Sequence, residues 1–294
     1  FAAEKDELMS GAEDGFVRKW RLADGACTWH NSQKDRAPVE AVAYSATGKT
    51  FAWSTGHMVH VNPDPARVTD GPKNVVHARG HVLHLVLSEL EDVMAAVALD
   101  GAPPQWWAWG KTADPQFQGA IAIQNVPVGA RCAVITWNRD GRPHGIFAHG
   151  LRRFTVHDTF DEVARVDTPG VVSALAVSML LGHIACGDEQ GTVGVYAMVE
   201  GQPPRRVLEA DTKAPVRLVA ISRDGDRVVS SSADGQVRLH EPGSGRTSVL
   251  VSSRDVKSVD ALALSPDGAL LAVASDRLIS LWDVAAGRCL WSQR

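Results

Sequence analysis

His77, His81 and His84 stand four and then three residues apart. On a helix that spacing would gather three imidazoles on one face, as a zinc ion needs. Here the stretch leads into the apolar run Val82–Ser88, and on a strand positions i and i+7 point to opposite faces. Packing and solvent-facing roles are therefore expected for these histidines. Serine, histidine and aspartate are plentiful, yet no Gly-x-Ser-x-Gly elbow sits on a strand-to-helix turn. Asp188-Glu189 is one acidic pair, short of a calcium loop. No glycine-rich phosphate loop precedes a helix. No catalytic, cofactor-binding or metal-binding residue is assigned.

Two other groups could do recognition chemistry. Gln105-Trp106-Trp107-Ala108-Trp109 puts three Trp within four residues, after Pro103-Pro104. Strand alternation sends Trp107 and Trp109 to one side and Trp106 to the other. Trp is enriched at interface hot spots, so Trp106 and Trp107 are candidate partner contacts. Large aromatics are mostly buried, and packing between sheets is the favoured reading, with Trp106 the member expected outside. Arg152-Arg153 and Arg205-Arg206 could grip an acidic peptide or a phosphate. The plainer reading makes them solvated turn residues.

The elements that must position these side chains come from repetition. Trp20–Trp29 and Trp282–Trp291 share a Trp-Gly-Cys-Trp skeleton with identical spacing. Between them recurs an alternating apolar run that ends in Ser or Asn and a Gly turn. Its anchors are Ser45, Ser88, Asn138, Ser178, Ser222 and Ser265, separated by 43, 50, 40, 44 and 43 residues. A period in the low forties with several strands per period is the spacing of a propeller. The 50-residue interval implies an insertion around Asp100–Val126, where Pro103, Pro104 and Pro115 break the pattern. In the last unit the strands read Leu262–Ser265, Leu270–Ala274, Leu278–Asp283 and Cys289–Ser292. Asp and Gly fill the turns because both tolerate positive φ. No amphipathic helix separates the strands, which excludes βαβ architecture and points to antiparallel four-stranded blades.

Ser10-Gly11-Ala12-Glu13-Asp14-Gly15-Phe16-Val17-Arg18-Lys19-Trp20 resembles the second turn and third strand of a WD-repeat (WD40-type) β-propeller blade. Leu278–Asp283 carries the Trp-Asp dipeptide itself, at Trp282-Asp283. Ser231–His240 is similar, with His240 in the Trp position; His157-Asp158 and Tyr196 fill that place in two other units, and Gly80-His81 resembles the family's Gly-His pair. The resemblance implies an all-β, seven-bladed β-propeller of four-stranded antiparallel blades. The expected blades are 1–36, which lacks most of its first strand, then 37–78, 79–126, 127–168, 169–212, 213–256 and 257–294. Most units lack Gly-His, so the buried His-Asp-Ser-Trp hydrogen-bond chain of the family is incomplete and apolar packing must do more.

At 294 residues the chain can bury roughly three quarters of its unfolded surface. A net charge of −4 gives no case for nucleic acid or an anionic membrane. No apolar run approaches the length of a membrane helix. Cys27, Cys132, Cys186 and Cys289 form no Cys-x-x-Cys pair and are expected reduced, which favours the cytoplasm. Only 8 of the 30 basic residues are Lys, which suggests a bacterial source. The chain opens inside a strand, so a piece of a longer multidomain protein is expected. The family resemblance implies a noncatalytic interaction scaffold or sensor module. Its partner would be a protein or another domain of the same polypeptide. The alternatives are a hydrolase or lactonase with a channel site, and an assembly subunit. The expected innermost strands are mostly aliphatic, with His84, Thr136 and Asn138 as exceptions, which weighs against the enzyme.

Overall fold

The computed structural model describes residues 1–2, 6–31, 37–44, 50–62, 74–78, 80–87, 93–98, 105–108, 132–137, 143–148, 152–158, 161–178, 182–199, 201–256 and 258–294. Among them every regular element is a β-strand. Two compact units divide the chain, Phe1–Gly129 and Ala130–Arg294.

In the first unit, β1 (Glu7–Gly11), β2 (Val17–Arg21) and β3 (Cys27–His30) form one sheet. The second sheet holds β4 (Ala41–Tyr44), β5 (Phe51–Thr55), β6 (Met58–Asn62) and β7 (Asn74–His77), and the third β8 (Val82–Leu87), β9 (Val93–Ala98) and β10 (Gln105–Ala108). The second unit begins with β11 (Cys132–Trp137), β12 (Pro143–Ala148), β13 (Arg153–His157) and β14 (Glu162–Asp167). Next come β15 (Val172–Val177), β16 (His183–Asp188), β17 (Thr192–Ala197) and β18 (Arg205–Asp211). Then follow β19 (Val216–Ile221), β20 (Val228–Ser232), β21 (Val237–Glu241) and β22 (Arg246–Val251). The last sheet is β23 (Ala261–Leu264), β24 (Leu270–Ser275), β25 (Leu278–Asp283) and β26 (Arg288–Gln293). Consecutive strands pair antiparallel, so each sheet is a meander.

The expected seven four-stranded blades are corrected here. Among the described residues six blades begin on a full first strand, namely β4, β8, β11, β15, β19 and β23. Among the described residues the N-terminal β1–β3 sheet has three strands, with Ala2 paired to Glu7 as an isolated bridge. The β8–β10 sheet also has three strands among the described residues. The Trp20 repeat signals a third strand, and a third strand can stand in a sheet that lacks its first.

The core lies between successive sheets. Met9 and Val17 meet Phe51 and Trp53 across the first seam, and Ala52, Val59 and Val61 meet Val82 and Leu85 across the next. In the second unit Phe154, Val156 and Ile146 pack with Ile184 and Tyr196. Val193 and Val195 pack with Val216 and Val228, and Val237 and Leu239 with Leu271 and Trp282. Gly187 lets these sheets approach, since a Cβ there would sit 2.2 Å from Val216 Cγ1.

The recurrent Ser-x-Asp-Gly has a local cause. Ser222 Oγ donates to Asp224 Oδ1 at 2.6 Å and accepts the Arg227 N–H at 3.0 Å, while Gly225 N–H reaches the Ser222 carbonyl at φ +83°. Ser265, Asp267 and Gly268 repeat the arrangement, with Gly268 at φ +69°. Ser178 Oγ accepts the His183 N–H at 2.7 Å. The anchors Ser45, Ser88 and Asn138 lie outside the described residues.

The third-strand aromatic is buried and its polar tip is met by a short side chain. Trp20 Nε1 donates to Ser10 Oγ at 2.9 Å, and Trp282 Nε1 to Ser280 Oγ at 2.9 Å. His240 Nε2 lies 2.8 Å from Ser230 Oγ, and its Nδ1 lies 3.0 Å from Thr247 Oγ1. His60 meets Thr55 and His157 meets Thr155, at 3.2 and 3.0 Å. The partner stands two residues along the second strand from the aromatic's cross-strand neighbour, or two residues before the aromatic on its own strand. Burial pushes the His240 imidazole down to about 4, helped by nearby Arg238.

Candidate interaction surface

Because strand direction alternates, the turns of each four-stranded sheet divide between two rims. One rim carries the second-to-third turns and the connections between sheets. The other carries the first-to-second and third-to-fourth turns.

The connection rim of the second unit is fixed from beneath. Asp188, 1% exposed, accepts the N–H of Gly170 at 2.8 Å, Gln190 at 3.0 Å and Thr192 at 2.7 Å. Thr212, fully buried, donates its N–H to the Gly191 carbonyl at 2.8 Å and its hydroxyl to the Ala214 carbonyl at 2.7 Å. Ala233 N–H bonds the Pro215 carbonyl at 2.8 Å, tying the next sheet to the same connection. Arg238 and Asp234 pair at 2.6 Å, and Asp276 N–H meets Asp260 at 2.7 Å. Above this frame Glu189, Lys213, Arg217, Arg254 and Arg277 are exposed, drawn from three successive sheets. Such a surface offers side chains of both signs on backbone that is already ordered.

The two arginine pairs are not brought together. Arg152 precedes β13, a third strand, and its carbonyl accepts the Thr168 N–H of the next sheet connection, so it stands on the connection rim. Arg205 opens β18, a fourth strand, on the other rim. Arg153 lies 3.8 Å from Asp167, and Arg206 pairs with Glu209 on its own strand. Arg152 and Arg205 are exposed and make no ion pair among the described residues. Trp106 and Trp107 lie on β10, opposite Ala95 and Met94, at the edge of the described sheet. Trp109 lies outside the described residues, as does most of the expected insertion.

The histidine triplet is dispersed. His77 faces His57 at 5.7 Å between ring centroids, His81 meets Glu40 at 3.3 Å, and His84 is half-buried on β8. Burial pushes the His84 imidazole down to about 4. Among the described residues no group of three or more His, Cys, Asp or Glu could hold a metal ion. The four cysteines are free thiols. Cys27 and Cys289 are exposed and donate to the Trp29 and Trp291 carbonyls at 3.4 and 3.3 Å, which shows the terminal Trp-Gly-Cys-Trp copies to be one hairpin used twice.

One residue had no counterpart in the sequence patterns. Lys19, 3% exposed, stands immediately before the third-strand aromatic. Its ammonium lies 4.0 Å from the Phe51 ring centroid, 4.9 Å from Tyr44 and 5.5 Å from Trp29. A lysine beside Trp20 on a short alternating strand was the available signal.

The model of the WD domain, G-beta repeat, matches residues 202–241 and 247–283. WD repeat-containing protein 1 of Gallus gallus is 20% identical over 263 residues, covering 86% of this chain and 41% of that protein. WD repeat-containing protein 90 of Homo sapiens is 31% identical over 119 residues, 40% of this chain and 6% of that protein. The chain thus spans about two fifths of the length of the first of these relatives, 41%. Among solved structures, the β-propeller domain of Cps50 (Swd1) from Myceliophteria thermophila superposes with a TM-score of 0.74 at 16% identity, covering 97% of this chain and 94% of that one. The WD40 β-propeller domain of Doa1 gives 0.70 at 18% identity, covering 96% and 91%. These relatives are eukaryotic where their source is stated. Residues 202–241 and 247–283 thus carry WD repeats, and with its hydroxyl-anchored turns and capped third-strand aromatics the chain shares the β-propeller fold of WD-repeat proteins.

Proposed function

We propose that residues 1–294 act as one noncatalytic interaction module of a larger regulatory or effector protein. It binds a protein partner, or another domain of the same polypeptide, on the connection rim of its second unit. The supporting observation is the rim itself. Buried Asp188 and Thr212 hold its backbone, while Glu189, Lys213, Arg217 and Arg277 stand exposed on successive sheets. A surface ordered before binding loses little conformational entropy on binding, so a few rim contacts suffice for useful affinity. The propeller fold shared with WD-repeat proteins is consistent with a scaffold.

The proposal extends to the cytoplasm and to a bacterial source. Free thiols at all four cysteines support the first, and the small lysine share of 8 in 30 basic residues supports the second. Neither nucleic acid nor membrane is a proposed partner, given the net charge of −4.

Chemical crosslinking in extract of the source cells, read by mass spectrometry, tests the function. The expected crosslinks to one partner fall on Lys213, Glu189 and neighbouring connection-rim residues. Crosslinks only between copies of the chain would favour an assembly subunit. Steady ester or lactone turnover by the purified chain would overturn the noncatalytic reading.

A further inference from the structure

The residue before the third-strand aromatic is an apolar core position in five other sheets. Val59, Val156, Val195 and Leu281 are each fully buried there, and Leu239 is 9% exposed. In the N-terminal sheet the same position is Lys19, also buried, and its surroundings are built for a cation. Phe51, Tyr44 and Trp29 form three aromatic walls around the ammonium, at 4.0, 4.9 and 5.5 Å. Phe51 stands edge-on to Trp29 and to Tyr44, at 5.3 and 6.0 Å, and stacks on Trp53 at 5.8 Å, so the walls brace one another. The Tyr44 hydroxyl is held by Glu7. Aromatic faces attract cations through the ring quadrupole, and most strongly where water is excluded. Ordinary core packing would have met an aliphatic side chain with aliphatic neighbours, as at Val195.

We infer that the seam between β2–β3 and β4–β5 is a cage for an alkylammonium group, occupied by the chain's own Lys19. The Lys19 side chain stands in for the ligand. Trp29 and Tyr44 are only half-buried, and they form the side through which an external cation replaces it. The ligand class is a compact alkylated amine, whether a free quaternary amine or the amine of a peptide side chain. Lys19 then acts as an internal competitor that keeps the cage closed until such a cation is abundant.

Chemical rescue tests this. Lys19→Ala empties the cage. Tetramethylammonium or n-butylammonium at tens of millimolar should raise the melting temperature of Lys19→Ala by about 3 °C. Neutral n-butanol should not, and adding Phe51→Leu should abolish the gain. A peptide carrying trimethyllysine, compared with its unmethylated form, separates a peptide source from a free amine. No ammonium-selective gain in Lys19→Ala overturns the proposal. Should Lys19→Ala fail to fold, the wild type decides by NMR. The Lys19 ε-protons should be shifted upfield by the three rings, and tetramethylammonium should drive them back toward ordinary lysine values. Unshifted ε-protons, or a shift that saturating tetramethylammonium leaves in place, would overturn it equally.

Discussion

At the residue scale the chemistry of this chain is mostly the chemistry of keeping polar groups satisfied inside. His240 shows the consequence for pH. Its imidazole is pushed from about 6.5 to about 4 by burial, with its nitrogens on Ser230 and Thr247. The unfolded chain binds a proton at pH values where the folded one does not. Stability is therefore full above pH 6.5, falls as the pH drops toward 4, and levels off below that. His84 adds a loss of the same sign. Melting curves between pH 7 and 4 should show that decline, and His240→Gln should flatten it; an unchanged slope would rule out His240 as its source. The thiols divide by burial in the same way. Cys132 and Cys186 are pushed up to about 12 by burial, while Cys27 and Cys289 are exposed. A thiol reagent on the native protein should titrate two cysteines quickly and all four only after denaturation.

At the element scale stability rests on turns and on seams. Asp188 accepts three backbone N–H groups, one of them buried, and so fixes the connection that carries them. Asp188→Ala should cost about 3 kcal/mol in denaturant unfolding. A loss below about 1 kcal/mol would mean that water replaces the carboxylate. Gly187→Ala probes the seam, because its new methyl would press on Val216 at 2.2 Å. Overpacking of this kind should destabilise by about 1–3 kcal/mol without changing the denaturant slope. The turns were legible from Ser-x-Asp-Gly, since every interaction in them lies within five residues. The Trp-or-His position was legible too, because the repeat spacing marks it. The cage around Lys19 was not. Its walls come from β3, β4 and β5, and although alternation from Val17 sets Lys19 inward, nothing in the strand Val17–Arg21 names the rings that meet it.

At the scale of the whole molecule the two rims make different surfaces. Arg152 and Arg205 look equivalent in sequence, each opening an Arg-Arg pair, yet meander direction puts them on opposite rims. A partner seated on the connection rim should therefore lose about tenfold in association rate with Arg152→Glu and be indifferent to Arg205→Glu, as surface plasmon resonance would read. Equal effects would mean that binding does not respect the rims.

The sequence by itself determined the strands, the turns, the period and the resemblance to WD repeats, because φ preferences, short hydrogen-bonded loops and side-chain alternation act within a few residues. Only the tertiary structure decided that, among the described residues, six blades begin on a full first strand, that the paired arginines part company, and that a lysine in a core position is enclosed by aromatic rings. These follow from how sheets stack, which brings Lys19 against residues up to Phe51 along the chain. Such contacts are set by packing between elements, and no local pattern carries them.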